Sequence, residues 1–262
     1  MAETKQSNYR NTIKMKVRII IIAVASLLTA CNLGKESKAS DAEQSPAVSL
    51  DRSSQETPPL NVSLKGAIDH EHYTAGQTAS VTFSRFPKSV EEFRQVREKL
   101  AVEPHGAVAL QVMAYEMYRR DREIGLACIN LNNTLTNSGE KSSAIRQLKL
   151  IFSDDNSSRP YQMATYLSGA THTNGYNPQE PYVVEVTVDA GRGYTESNDY
   201  QTTVLHLKVL TSGKNSPDPI AVLKTHKPDE TSEGKYFIVS ESGSLYSRVR
   251  EKSFQAEFNG LK

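Results

Sequence analysis

The sequence predicts an α+β domain: an N-terminal helical layer of about four to five helices followed by a four- to five-stranded antiparallel meander. Three observations carry this expectation. Apolar residues recur at helical spacing from Val90 to Leu167, the period changes to two after Pro181, and no helical stretch separates the strand-like runs that follow. Parallel neighbours would need such crossovers, so antiparallel pairing is expected.

The elements begin with a targeting segment. From Met15 the chain reads MKVRIIIIAVASLLTAC, with Lys16 and Arg18 followed by twelve uncharged residues, Ile19 to Ala30. A bilayer span needs about 20 apolar residues, whereas a secretory signal core needs about 7–15. The run ends in Leu28-Thr29-Ala30-Cys31, which resembles the bacterial lipobox. Small residues beside the scissile bond let a peptidase close on it, and the Cys31 sulfur is the nucleophile that takes the lipid. The fourteen residues before Met15 are polar and add nothing to such a signal, so Met15 is a possible start. Residues 1–30 are accordingly expected to be a lipoprotein signal peptide.

Residues 32–60 hold six serines, three prolines, no aromatic residue and four Leu or Val. Such a segment buries too little apolar surface to offset the entropy of ordering it. Residues 31–77 are therefore expected to be a lipidated cysteine and flexible tether, with a single domain over 78–262. A coil of about 30 residues holds the domain roughly 30 Å from the membrane. Asn32, rather than aspartate, follows the cysteine, which in the enteric sorting scheme favours the outer membrane.

Val81 and Phe83 alternate with polar neighbours as in a short strand. Ser89 stands three residues before Glu92, a capping-box spacing, and opens a helix with Val90, Phe93, Val96 and Leu100 on one face. Pro104 ends it. Ten of the twelve residues from Ala107 to Tyr118 are apolar, which predicts a helix surrounded on most sides. Helices over about 123–132 and 141–153 follow, then a short segment opened by Pro160. Strands are expected over 182–188, 203–210, 220–223, 236–239 and 245–249, with turns around 191–198, 212–219, 228–234 and 242–244. His206 falls opposite Leu205 and Leu207 and is expected on the exposed face of the sheet.

The stretch YLSGATHTNGYNPQEPY, Tyr166 to Tyr182, joins the two layers. Asn174-Gly175 supports a turn with positive φ, and the tyrosines can pack their rings while keeping a hydroxyl wet. His172, Asn174, Tyr176 and Tyr182, with Arg159 near the preceding helix start, are the candidate binding residues. Asp69-His70-Glu71-His72 places His70 and His72 on one side of an extended chain, a weak candidate for a divalent metal that would need further ligands. No metal or other cofactor is implied elsewhere.

Cys128, in GLACINL, is expected to be a buried, inert thiol, and with Cys31 acylated no internal disulfide is possible. Removing residues 1–30 takes away five Lys/Arg and one Glu, leaving 26 basic and 29 acidic residues, net −3. That balance gives no electrostatic footprint for nucleic acid. Arg119, Arg120 and Arg122 close a helix, where cations are favoured. There is no G-x-S-x-G, H-E-x-x-H, P-loop, G-x-G-x-x-G or C-x-x-C. The leading expectation is a lipid-anchored envelope protein with a non-catalytic domain for a protein or glycan partner. The alternatives are an envelope hydrolase using His172 or a metal at residues 69–72, and an accessory lipoprotein of a secretion or toxin system.

Residues 159–188, RPYQMATYLSGATHTNGYNPQEPYVVEVTV, with TSGKNSPDPIAV, GKYFIVSE and SLYSRVRE, resemble an uncharacterised bacterial family. Its members carry Arg-x-Tyr, Gly-Ala-Thr, Asn-x-Tyr-x-Pro and Pro-Tyr in that order. The resemblance covers about Phe83 to Glu251 and implies a domain of unknown function, with no substrate or catalytic residues to carry over. Asp218 stands where the relatives tend to have arginine, and Tyr236-Phe237 replaces their tryptophan. An anion-binding role built on that arginine therefore does not transfer.

Overall fold

Regular structure starts well before Thr78. The computed structural model describes residues 58–133, 142–197, 202–224 and 235–262. The signal segment, Cys31 and the tether as far as residue 57 lie outside the described residues. Strand β1 (Val62–Lys65) pairs antiparallel with β2 (Thr78–Phe83), Leu64 opposite Val81. The tether, expected to reach residue 77, thus gives way to folded chain by Val62. The link between the strands is also tied down: Ile68 is buried, and Tyr73 meets Tyr194 edge-on at 4.4 Å.

Helix α1 (Val90–Leu100) begins where the Ser89 hydroxyl accepts the Glu92 backbone N–H at 3.1 Å. The reciprocal half of a capping box is replaced by another arrangement. The Glu92 carboxylate accepts Lys88 N–H at 2.7 Å and both terminal nitrogens of Arg85, at 2.8 and 2.9 Å. Pro104 both ends this run and occupies the first turn of α2 (Pro104–Arg120), where no backbone N–H is needed.

Every residue of α2 from Pro104 to Tyr118 is buried, because the helix touches α1, another helix and four strands of the sheet. A single residue, Asp121, turns the chain into α3 (Arg122–Asn132), its carboxylate accepting Glu123 and Ile124 N–H at 2.9 and 3.0 Å. Helix α4 (Ser143–Ile151) is shorter than expected and is capped by Ser142. The arginines at the end of α2 are structural: Glu116, fully buried, binds Arg119 and Arg120 at 2.7 and 2.8 Å.

Five more strands complete the sheet: β3 (Tyr182–Val188), β4 (Tyr194–Ser197), β5 (Thr202–Val209), β6 (Asp218–Lys224) and β7 (Phe237–Glu241). The order is β1-β2-β3-β5-β6-β7 with β4 also on β5, and all ladders are antiparallel. Mixed helix and sheet is thus as expected, but the order is not helices first and strands after. The helical block is inserted between β2 and β3, which are hydrogen-bonded neighbours, Thr82 opposite Val183.

Three local expectations also need correction. Strand β4 lies in a stretch read as turn. Residues 245–249 are not a strand: Gly243–Tyr246 is a turn of 3-10 helix whose Leu245 and Tyr246 are buried. His206 is buried, not exposed, because the sheet face it occupies also carries a small apolar cluster, Val204, Ala221 and Leu223. The main core lies between the opposite face (Val184, Val186, Leu205, Leu207, Val222) and the helices. Cys128 is buried there, and loss of hydration pushes its thiol up to about 12, leaving it inert.

Candidate functional site

The joint between helices and sheet is built by its own side chains. Thr171 and Asn174 form a capping box around the single turn His172–Asn174, and Gly175 and Tyr176 follow with φ of 69° and 59°. Asn174 is spent on this geometry. Its oxygen accepts Thr171 and Asn177 N–H at 2.9 and 3.2 Å, and its amide donates to Gly169 and Asn177 carbonyls at 2.9 and 3.2 Å. A non-glycine residue at positive φ is strained. Tyr176 is held there by complete burial and by stacking on Tyr161, with ring centroids 4.9 Å apart and planes 17° from parallel. Burial raises the pKa of both phenols.

The C-terminal segment fills the concave side of this loop, and mostly its backbone is held. The Tyr176 hydroxyl donates to Arg250 O at 2.8 Å, Tyr161 accepts Lys252 N–H at 3.2 Å, and His172 O accepts Ser253 N–H at 2.8 Å. Asn177 accepts Asn259 N–H and donates to Glu257 O, both at 2.7 Å. Tyr182 accepts Lys262 N–H at 3.0 Å. A hollow of about 290 Å³ remains between Pro178, Glu180 and residues 259–262.

Of the predicted site residues, Asn174, Tyr176 and Tyr182 are brought to this joint as loop architecture and as grips on the tail. His172 lends its carbonyl and is half-buried. Arg159 turns to Asp154 at 2.5 Å and to the Arg119 carbonyl at 3.4 Å, so it serves the end of α2. Tyr161 and Asn177 were missed. Tyr161 is itself the tyrosine of the Arg-x-Tyr pattern and Asn177 stands inside Asn-x-Tyr-x-Pro, which was the available signal, but nothing local predicts that a segment some eighty to ninety positions away returns to them.

His70 and His72 do not converge on a metal site. Asp69 accepts Glu71 and His72 N–H at 2.8 and 2.9 Å, which together with the nearby imidazoles lowers the pKa of its carboxyl. His70 packs edge-on against Phe237 at 4.9 Å. Among the described residues no three His, Cys, Asp or Glu side chains are grouped to hold an ion.

A second polar cluster joins β6 to the turn after β7. Lys214 Nζ donates to Asp218 at 2.5 Å, and to Ser244 O and Ser247 Oγ at 2.6 Å each. The buried Tyr166 hydroxyl donates to the same carboxylate at 2.5 Å, and burial with that adjacent charge raises its pKa. A Ser–Lys pair at this distance has the spacing of a nucleophile and its base. Here the three ammonium donors are spent on Asp218, the Ser244 carbonyl and the Ser247 hydroxyl, and that hydroxyl itself donates to Ser244 O at 2.7 Å, so the pair is tied into internal hydrogen bonds. The cluster is a latch.

An open trench runs over the outer side of β2 and β3. Two hollows of about 520 and 300 Å³ share Glu185 and Leu210. Between them they are lined by the hydroxyl residues Ser80, Thr82, Ser168, Thr211 and Ser212, with Lys65 at one end. Ser168 donates to Glu185 at 2.8 Å and fixes the carboxylate.

No curated protein and no solved structure matches the chain. Residues 85–253 match a single family over the helices, the joint loop and all of the sheet after β2. The chain belongs to the domain-of-unknown-function family DUF6935.

Proposed function

We propose that this chain is a lipid-anchored protein of the cell envelope, held at the outer membrane through Cys31, whose α+β domain is a non-catalytic binding module for a protein or glycan partner. The observation that carries the reading is the uncharged run Ile19–Ala30 behind Lys16 and Arg18, ending in Leu28-Thr29-Ala30-Cys31. The domain's chemistry is consistent with it. The reactive-looking groups Asn174, Lys214, Asp218 and Glu116 are tied into internal pairs. The trench around Glu185 offers hydroxyls and a fixed carboxylate, groups that hydrogen-bond backbone amides or sugar hydroxyls alike.

The test is metabolic labelling of the full chain with radioactive palmitate, followed by fractionation. Label in the membrane fraction, lost together with membrane association in Cys31→Ala, is the expected result. An unlabelled protein, or a Cys31→Ala variant that still sediments with vesicles, would overturn the anchor.

A further inference from the structure

The joint-loop groove holds the C-terminal segment in the manner of a bound peptide. From 250 to 262 the chain has no helix or strand, and none of these residues is buried. Only Phe258 and Leu261 lie partly buried against the cores, and the buried members of the main core include nothing from this segment. What fixes it beyond Phe254 is mainly backbone recognition, with one exposed ion pair beside it, Lys262 to Glu180 at 3.0 Å. Asn177 pairs with Glu257 and Asn259, Tyr182 takes Lys262 N–H, and Arg120 donates to Leu261 O at 2.9 Å. Gripping main chain at regular intervals, with pockets for a few side chains, is how extended peptides are recognised.

Two details set the sequence such a groove accepts. Gly260 has φ of 91°, which other residues avoid, and it lets Leu261 turn inward between the two apolar clusters. Phe258 lies edge-on to Tyr161 at 6.1 Å. The retained pattern is an aromatic residue, any residue, glycine, then an aliphatic residue. With the strap gone, Tyr161, Tyr176 and Tyr182 would line the groove, and tyrosines in pockets dominate binding energy at many interfaces. The strap from Phe254 onward also lies beyond the family match, which ends at 253, while the loop residues that grip it lie inside.

We infer that the groove formed by Asn177, Tyr182, Tyr161 and Arg120 is a peptide-binding site, that the C-terminal strap occupies it in cis, and that an extended segment of a partner protein with the pattern aromatic-x-Gly-aliphatic displaces the strap. This rests on the reading of the domain as a binding module and chooses protein over glycan as its ligand. It does not depend on the lipid, so the palmitate result and the result below can fail separately.

The experiment uses the full chain with a site-specific protease sequence inserted after Phe254, which is fully exposed. After cleavage, a fluorescein-labelled peptide matching residues 255–262 is added and its anisotropy followed, with circular dichroism reporting the fold. The expected result is that the nicked domain stays folded and takes up the labelled peptide. Binding should weaken at least tenfold with Asn177→Ala in the domain, or with Gly260→Val in the peptide. Unrelated peptides that keep the aromatic-x-Gly-aliphatic pattern should compete. Unfolding on loss of the strap would make it part of the domain's frame and overturn the inference. So would failure of the peptide to enter, or competition by the strap's own sequence alone.

Discussion

His105, at the second position of α2, is fully buried, and both its ring nitrogens lack hydrogen-bond partners among the described residues. Desolvation lowers its pKa from 6.5 to about 4. Between those values the unfolded chain binds the proton that the folded chain refuses, so acidification through that window removes stability. His206, also buried, shifts in the same direction. At pH 5 the loss from His105 alone is about 2 kcal/mol relative to pH 7.5. Urea midpoints at the two pH values should record it, and His105→Leu should flatten the dependence; equal pH slopes for the two proteins would refute the assignment. Glu116 makes the complementary case. Its carboxylate is wholly buried between two guanidiniums that are 20 % and 27 % exposed. Glu116→Ala strands two cations that can partly reach water, so the cost should sit near the low end for a broken buried pair, about 3 kcal/mol by chemical denaturation. A loss below about 1 kcal/mol would show the pair to be as weak as an exposed one.

At the scale of elements, α2 and α3 are joined by one residue and lie against each other so closely that a Cβ on Gly125 would come within 2.0 Å of the Tyr118 Cα. Gly125→Ala should therefore force the helices apart and destabilise the protein by about 3 kcal/mol, more than any gain in helix propensity. A thermal melt unchanged or raised by this substitution would contradict the packing. Elements whose signal is local were legible in the sequence. The alternating valines of β3 gave both its bounds, Tyr182 and Val188, and Ser89 marked the start of α1. Elements whose cause is a distant partner were not. Val62 and Leu64 look like tether until β2 supplies a ladder for them, and Tyr194–Ser197 looks like turn until β5 lies beside it. Alternation placed His206 on the outer face but could not tell that Val204, Ala221 and Leu223 make that face apolar too. The candidate site was legible in the same partial way: the loop was located and Tyr176 and Tyr182 named, while the strap that they grip is invisible at a separation of about eighty residues.

For the whole molecule, the two strands that precede the helices close one side of the sheet. β1 is its outer strand, and Phe83 and Val81 of β2 belong to the main core. A chain starting at Thr78, the boundary suggested by composition, should melt at least about 5 °C below one starting at Pro58, since it loses a ladder and leaves β2 unpaired on one side. Matching melting curves would mean that β1 is ornamental. The pairing of β2 with β3 has one more consequence, which concerns time. Thr82 and Val183 are 101 positions apart in the chain, so a ribosome making about 5–20 residues per second delivers the second strand roughly 5–20 seconds after the first. During that interval the helices emerge and can close over Val81 and Phe83, but the β2 edge that β3 will fill stands open, a row of free N–H and C=O groups that whatever escorts the growing polypeptide has to keep from pairing elsewhere until residue 188 emerges.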